Sequence, residues 1–186
     1  MLEREDYELI KKVEYFLRKQ SENKDGAGGS LWTWALKVPH EERLSVLFEN
    51  SGDVFSKLQE SNKKFSVLDL GCGFCTYWPF FERRGADRFV GVDLFTLRGQ
   101  GDQAYQDTAV KIAKTFCKKS TWSIFEADVR DIDKIFEEAG ITEKFDIIFT
   151  KNTDYRKLGS TGIPENIFNS ICEKWLKEDG TKIYAG

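Results

Sequence analysis

Residues 67–75 read Val-Leu-Asp-Leu-Gly-Cys-Gly-Phe-Cys, an apolar run that passes straight into two glycines, with Asp69 two residues before the first. Glycine lets the backbone turn sharply and lets a ligand approach the main chain, and a helix starting after the turn offers free N–H groups. Nucleotide-like ligands use turns of this kind. A second apolar run ends at Asp93, in Gly-Val-Asp-Leu, where a carboxylate can accept two hydrogen bonds from a ribose diol. Gly71-x-Gly73-x-x-Thr76 also approximates a dinucleotide fingerprint whose last glycine is missing. Asp69 discriminates between the two. Inside the turn its charge would repel a pyrophosphate, whereas it suits the α-amino group of a nucleoside that carries an amino acid.

The elements that must hold these residues follow from periodicity. From residue 65 short β-branched runs, at 65–70, 88–93, 122–126, 145–150 and 181–185, alternate with helical patterns. Tyr105, Ala109, Ile112, Ala113 and Phe116 share one helical face, and Ile163, Ile167, Phe168, Ile171, Cys172, Trp175 and Leu176 share another. Strands alternating with helices imply right-handed crossovers and a parallel sheet covered on both faces. Upstream, Leu9, Ile10, Val13, Phe16 and Leu17 mark an amphipathic helix over 6–20. Ser21–Ser30 reads as a break, and two shorter helical runs follow, one after Pro39 with Leu44, Leu47 and Phe48, the other with Val54, Phe55 and Leu58. The expected division is a helical extension over 1–60 and a nucleotide-binding domain over 61–186.

Composition sets the outer bounds. A chain of 186 residues that is 40% hydrophobic can build a core without disulfide or metal staples, and 14% aromatics with a net charge of −3 do not match a disordered chain. No stretch approaches the roughly 18 uncharged residues that span a bilayer. The start, Met1-Leu-Glu-Arg-Glu-Asp6, lacks the order of a secretory signal, so a cytoplasmic protein with no membrane partner is expected. The cysteines at 72, 75, 117 and 172 read as reduced thiols. An acidic balance argues against a nucleic-acid partner without excluding a local basic stripe.

Taken in order, VLDLGCG, GVDL, FEADVRDI and FDIIF resemble the class I S-adenosylmethionine-dependent methyltransferases over about residues 65–185. The resemblance implies an α/β, doubly wound, Rossmann-like parallel sheet and S-adenosylmethionine as cofactor. It places Asp69, Gly71, Cys72 and Gly73 against the methionine part of the cofactor and Asp93 on the ribose hydroxyls. Leu94 would lie beside the adenine, Asp128 would take its amino group, and the Val129 amide would face the ring. The end of the strand over 145–150 would face the transferable methyl, so Lys151, Asn152, Asp154 and Tyr155 are the candidates for touching the acceptor. Thr150-Lys-Asn-Thr-Asp-Tyr155 lacks the Asn/Asp-Pro-Pro-aromatic motif of enzymes that methylate base amino groups, and the acceptor is expected to be a small molecule. Two features depart from the family. Cys75 replaces the third glycine of GxGxG, and the sequence reaches Gly186 just after the fifth strand, where the family continues into an antiparallel hairpin. The fifth strand would then be a sheet edge, covered by the N-terminal helices, by a second copy in a homodimer or by another partner.

Other readings compete. The protein could bind S-adenosylmethionine without turning it over, or serve as a regulatory subunit. Cys72-x-x-Cys75 at a strand-to-helix turn is where a thiol-redox pair with lowered pKa would sit. A nicotinamide oxidoreductase is disfavoured by Asp69. Asp69, Asp93 and Asp128 could also be simple turn or cap residues. Trp32 and Trp34 read as packing for a helical cap or as a lid, His40 as a solvent-side helix start, and the basic groups at Arg83, Arg84, Arg88 and Lys111–Lys119 as solvated faces. No second Cys or His pair completes a zinc site.

Overall fold

A computed structural model describes residues 2–22, 44, 54–61, 63–97, 100–101, 103–151 and 162–185. The chain forms two compact units, Met1–Gly52 and Asp53–Gly186. In the first, helix α1 spans Arg4–Glu22. Its start is capped by the Asp6 carboxylate, which accepts the Glu3 N–H at 2.9 Å, and Ile10, Val13 and Leu17 recur at helical spacing on its buried side. Trp32, Trp34, His40 and most of the run after Pro39 lie outside the described residues, where only Leu44 is placed, in a helical turn.

The second unit begins with α2, Val54–Ser61, and then follows the alternation read from the sequence. Strands β1 (Phe65–Leu70), β2 (Ala86–Asp93), β5 (Thr121–Glu126), β6 (Phe145–Lys151) and β7 (Leu176–Ala185) form one sheet in the order β5-β2-β1-β6-β7. Every pairing in it is parallel. The crossovers are α3 (Trp78–Arg83), α4 (Gln103–Phe116), α5 (Ile132–Glu138) and α6 (Glu165–Trp175). A two-stranded antiparallel pair, β3 (Thr96–Leu97) with β4 (Gln100–Gly101), precedes α4 and was not foreseen.

Strand β1 is central and all six of its residues are buried. Its alternation sends Leu68 and Leu70 into the core beneath α5 and α6, with Val90, Val92, Ile148, Phe136, Phe168 and Ile171. The opposite face carries Phe89 and Phe149, which stack on Trp78 and meet Phe81 of α3. Each such large side chain stabilises the fold by roughly 1.5–3 kcal/mol through removal of apolar surface from water.

Two boundaries differ from expectation. Strand β7 begins at Leu176, directly after α6, because Leu176 already pairs with Phe145 of β6, and the polar run 177–180 is an unpaired insertion before the ladder resumes at Thr181 opposite Ile147. Its register slips between the Phe145 and Ile147 partners, and Gly180 lies against Leu176, where a Cβ would come within 2.8 Å of Cδ1. Ile163 and Leu176 lie outside α6. Pro164 caps its start in an extended conformation, and the Ile163 carbonyl accepts the Tyr184 hydroxyl at 3.0 Å.

Candidate functional site

The carboxyl ends of β1, β2, β5 and β6 converge, as the parallel pairing requires, and each end is tied to its neighbour. The Val92 carbonyl accepts the Gly71 N–H at 2.8 Å, the Asp93 carbonyl accepts the Ala127 N–H at 2.9 Å, and Thr150 Oγ1 donates to the Leu70 carbonyl at 2.8 Å. Between β1 and α3 the chain makes a turn with alternate left-handed residues, Gly71 at φ 73°, Gly73 at 54° and Cys75 at 56°. Cys75 thus occupies a conformation that favours glycine, at the position where the resembling family has one. The following helix does not start at the turn as the sequence suggested. It begins only at Trp78, with Pro79 in its first turn, so the N–H groups facing the turn are the turn's own.

Asp93 joins the two turns. Its Oδ2 accepts the Gly73 N–H at 2.9 Å and its Oδ1 the Phe95 N–H at 2.7 Å, with Phe95 itself left-handed at φ 46°. Burial pushes the Asp93 carboxyl above the usual range, and these two backbone donors only partly offset it. Asp69, two residues before the turn and 1% exposed, accepts the Trp78 indole N–H on Oδ2 at 2.7 Å. Burial, opposed by that hydrogen bond and reinforced by Asp93, pushes its pKa up to about 8. A buried and a half-buried carboxylate therefore flank one turn, and no basic side chain among the described residues pairs with either.

Around this centre the other expected residues take separate places. Leu94 exposes half of its side chain beside Asp93. At the end of β5, Asp128 caps a short 3-10 turn over Val129–Asp131, accepts the Arg130 N–H at 2.9 Å and pairs with the Arg130 guanidinium, which holds its carboxyl below the usual range. Val129 is half-buried in that turn. Cys72 is buried beneath the turn, and Ile163 and the Tyr105 hydroxyl stand over Gly71 and Gly73, the latter 3.1 Å from where a Gly73 Cβ would sit. The Tyr105 ring packs on Phe74 and Phe95. Lys151 lies at the end of β6 and donates to the Tyr77 hydroxyl at 2.5 Å, while the Tyr77 ring meets Phe149 edge-on. Asn152, Asp154 and Tyr155 lie outside the described residues.

Trp78, Tyr77 and Tyr105 were not singled out as site residues from sequence. A signal for Trp78 existed in Gly91. A glycine in the middle of a buried strand marks a close approach, and a Cβ there would come within 2.7 Å of Trp78 Cζ2 and 2.8 Å of Cys72 Sγ. All four cysteines are free thiols. Burial, and for Cys72 the hydrogen bond it makes to Cys75, raise both thiol pKa values, the opposite of what a redox pair needs. Among the described residues no group of Cys, His, Asp and Glu is placed to hold a metal ion, and no helix is long and apolar enough to cross a membrane.

No protein-family model matches the sequence, and no curated protein matches it. Solved structures do. The plantazolicin methyltransferase BpumL, in complex with a pentazolic desmethylPZN analogue and S-adenosylhomocysteine, superposes over 95% of this chain and 60% of its own, with a TM-score of 0.53 at 17% identity. The chain shares its fold with BpumL. A SAM-dependent methyltransferase from Thiobacillus denitrificans with S-adenosylhomocysteine matches over 73% of this chain and 47% of its own, at 17% identity and a TM-score of 0.47. A structure from Methanococcus maripaludis described as a methyltransferase of the same kind matches over 77% and 58%, at 13% identity and a TM-score of 0.47. The chain spans between 47% and 60% of the length of these three proteins.

Proposed function

We propose that this chain binds S-adenosylmethionine in the turn after β1 and transfers its methyl group to a small-molecule acceptor. The observation that carries the reading is the pair of carboxylates, buried Asp69 and half-buried Asp93, on either side of a turn built from left-handed residues. A diol, an ammonium and a sulfonium suit such a site, whereas a pyrophosphate would meet two acids and no basic partner. In this reading Asp93 keeps its backbone donors and takes the ribose hydroxyls on its remaining lone pairs, while Asp69 faces the ammonium across Gly71 and Gly73. Leu94 covers the adenine, with Asp128 and the Val129 amide at the ring edge.

The cofactor supplies an activated methyl group, and displacement at that carbon asks the protein mainly to align the acceptor in a dry site. In this reading the acceptor lies beside Lys151 at the end of β6, whose ammonium donates to the hydroxyl of Tyr77 just before α3. The β1–β6 register pairs Asp69 with Phe149, two residues before Lys151 on the same face of the strand.

A second reading, binding without turnover, draws on Cys75, whose left-handed backbone carries a side chain where the resembling family has glycine. Calorimetry with S-adenosylmethionine, S-adenosylhomocysteine and NAD tests the cofactor, and a labelled methyl donor offered to small acceptors tests transfer. Micromolar binding of the two sulfur nucleosides, with none of NAD, is expected. Equal binding of NAD overturns the reading, and binding without transfer to any acceptor favours the second.

A further inference from the structure

Asp69 has one oxygen satisfied and one not. Oδ2 accepts the Trp78 indole N–H at 2.7 Å, while Oδ1 has no hydrogen-bond partner among the described residues, on a side chain that is 1% exposed. An orphaned polar atom at that depth is costly, so its retention asks for a function. The groups that face the carboxylate are Asp93 at the end of β2 and the thiols of Cys72 and Cys75 in the turn. From α3 the contact is Trp78, which does not titrate, and from β6 the register partner is Phe149. None of these supplies a positive charge.

Trp78 is itself held firmly. Its ring lies flat on Phe89, with centroids 5.0 Å apart and planes 9° from parallel, and it is fully buried. Gly91 leaves the space for it, since a Cβ would lie 2.7 Å from Cζ2. The indole N–H thus has a fixed direction, and it fixes which way the Asp69 carboxyl turns.

We infer that Trp78 is a positioning residue of the cofactor site: it orients Asp69 with one oxygen free for a cation, so that capture of the cofactor's ammonium drives a proton off Asp69 into solvent. This rests on the cofactor reading above. The balance is simple. The neutral acid loses H⁺, the carboxylate formed pairs with the incoming ammonium, and the proton passes to buffer. The acid must be neutral beforehand, which its burial beside Asp93 and without a counter-ion favours.

The test is calorimetric titration of the 186-residue chain with S-adenosylhomocysteine at pH 7, in buffers of different ionisation enthalpy, which counts protons released. With the carboxyl at about 8, about 0.9 proton should leave per ligand bound, and affinity should rise about tenfold from pH 6 to pH 7. 5′-Methylthioadenosine, which has the nucleoside but no ammonium, should release none. Asp69→Asn should abolish the release. Trp78→Phe keeps the ring on Phe89 but removes the donor that favours the ionised acid, so the rise in affinity should move to higher pH by about one unit.

Release below about half a proton, release that persists in Asp69→Asn, or a Trp78→Phe loss of affinity that is as large at about pH 10 as at pH 7 would overturn the inference. A Trp78→Phe chain that fails to fold leaves the Asp69→Asn comparison to decide. If the wild-type chain gives no binding heat and no shift in melting temperature with S-adenosylhomocysteine, the cofactor reading itself fails. Binding without proton release defeats only this inference.

Discussion

Gly91→Ala offers a sharp test of how the site is built, because two expectations of opposite sign meet there. Replacing a strand glycine by alanine ordinarily stabilises by roughly 0.5–1 kcal/mol, through the smaller backbone entropy lost on folding. Here the new Cβ would lie 2.7 Å from Trp78 Cζ2, 2.8 Å from Cys72 Sγ and 3.1 Å from Cys72 Cβ. Carbon atoms in good contact sit about 3.5–4.0 Å apart, so a neighbour would have to retreat by about 1 Å. Neither has room. Trp78 is stacked on Phe89 and tethered to Asp69, and Cys72 is buried in a turn tied to Val92. Overpacking of this kind costs roughly 1–3 kcal/mol, which outweighs the entropic gain. The expected net loss is about 1–2 kcal/mol, or a melting point lower by roughly 2–8 °C. Urea denaturation followed by tryptophan fluorescence measures it, with an unchanged m-value confirming that the folded and unfolded states are otherwise alike. Stability equal to or above wild type would refute the packing argument and with it the claim that Gly91 makes the seat for Trp78.

Other outcomes follow from the same contacts. Asp93→Ala leaves the Gly73 and Phe95 N–H groups without their acceptor, so it should cost about 2–4 kcal/mol of stability in denaturant melts and weaken S-adenosylhomocysteine at least 100-fold by calorimetry. Retained affinity would remove Asp93 from the site. Asp69 has a folded pKa raised to about 8, well above the unfolded value near 3.8. The folded chain therefore holds a proton that the unfolded chain has released, and stability attributable to this group falls as pH rises from about 4 to 8 and is then level. Asp69→Asn should remove that slope from a pH series of urea midpoints, and a wild-type series parallel to it contradicts the assignment. Glu82 accepts the Lys118 and Lys119 N–H groups at 3.1 and 2.9 Å as the chain enters β5, and Glu82→Gln, which keeps only one acceptor oxygen, should lower stability by about 1 kcal/mol without affecting ligand affinity. A change in affinity there would show that β5 and the turn are coupled.

The strand pattern was legible because a buried parallel sheet writes itself as short β-branched runs, and all five runs from 65–70 to 181–185 lie within sheet strands. The turn was legible because glycine and acid spacing is a local signal. Strand β7 starts five residues before the apolar run at 181–185, since its first pairing, Leu176 with Phe145, is separated from the rest by the polar, unpaired Lys177-Glu-Asp-Gly180, whose residue types announce no strand. Short β3 and β4 carry too few residues for a period to register. The orientation of Asp69 was invisible for another reason. It depends on an indole nine residues downstream, and only the stacking of Trp78 over Gly91 brings the two together. The self-capping of Asp128 through Arg130 is local, and the Asp-Val-Arg-Asp run permitted it as an alternative.

The most direct measurement of the central claim is an amide spectrum of the chain labelled at its glycines, titrated with S-adenosylhomocysteine. Gly71 and Gly73 line the turn between Asp69 and Asp93, whereas Gly140 follows α5 with nothing near its Cα that a side chain would meet. Saturable shifts of the Gly71 and Gly73 amides, with little change at Gly140, are expected. Shifts confined to other glycines, or none at saturating ligand, would contradict it.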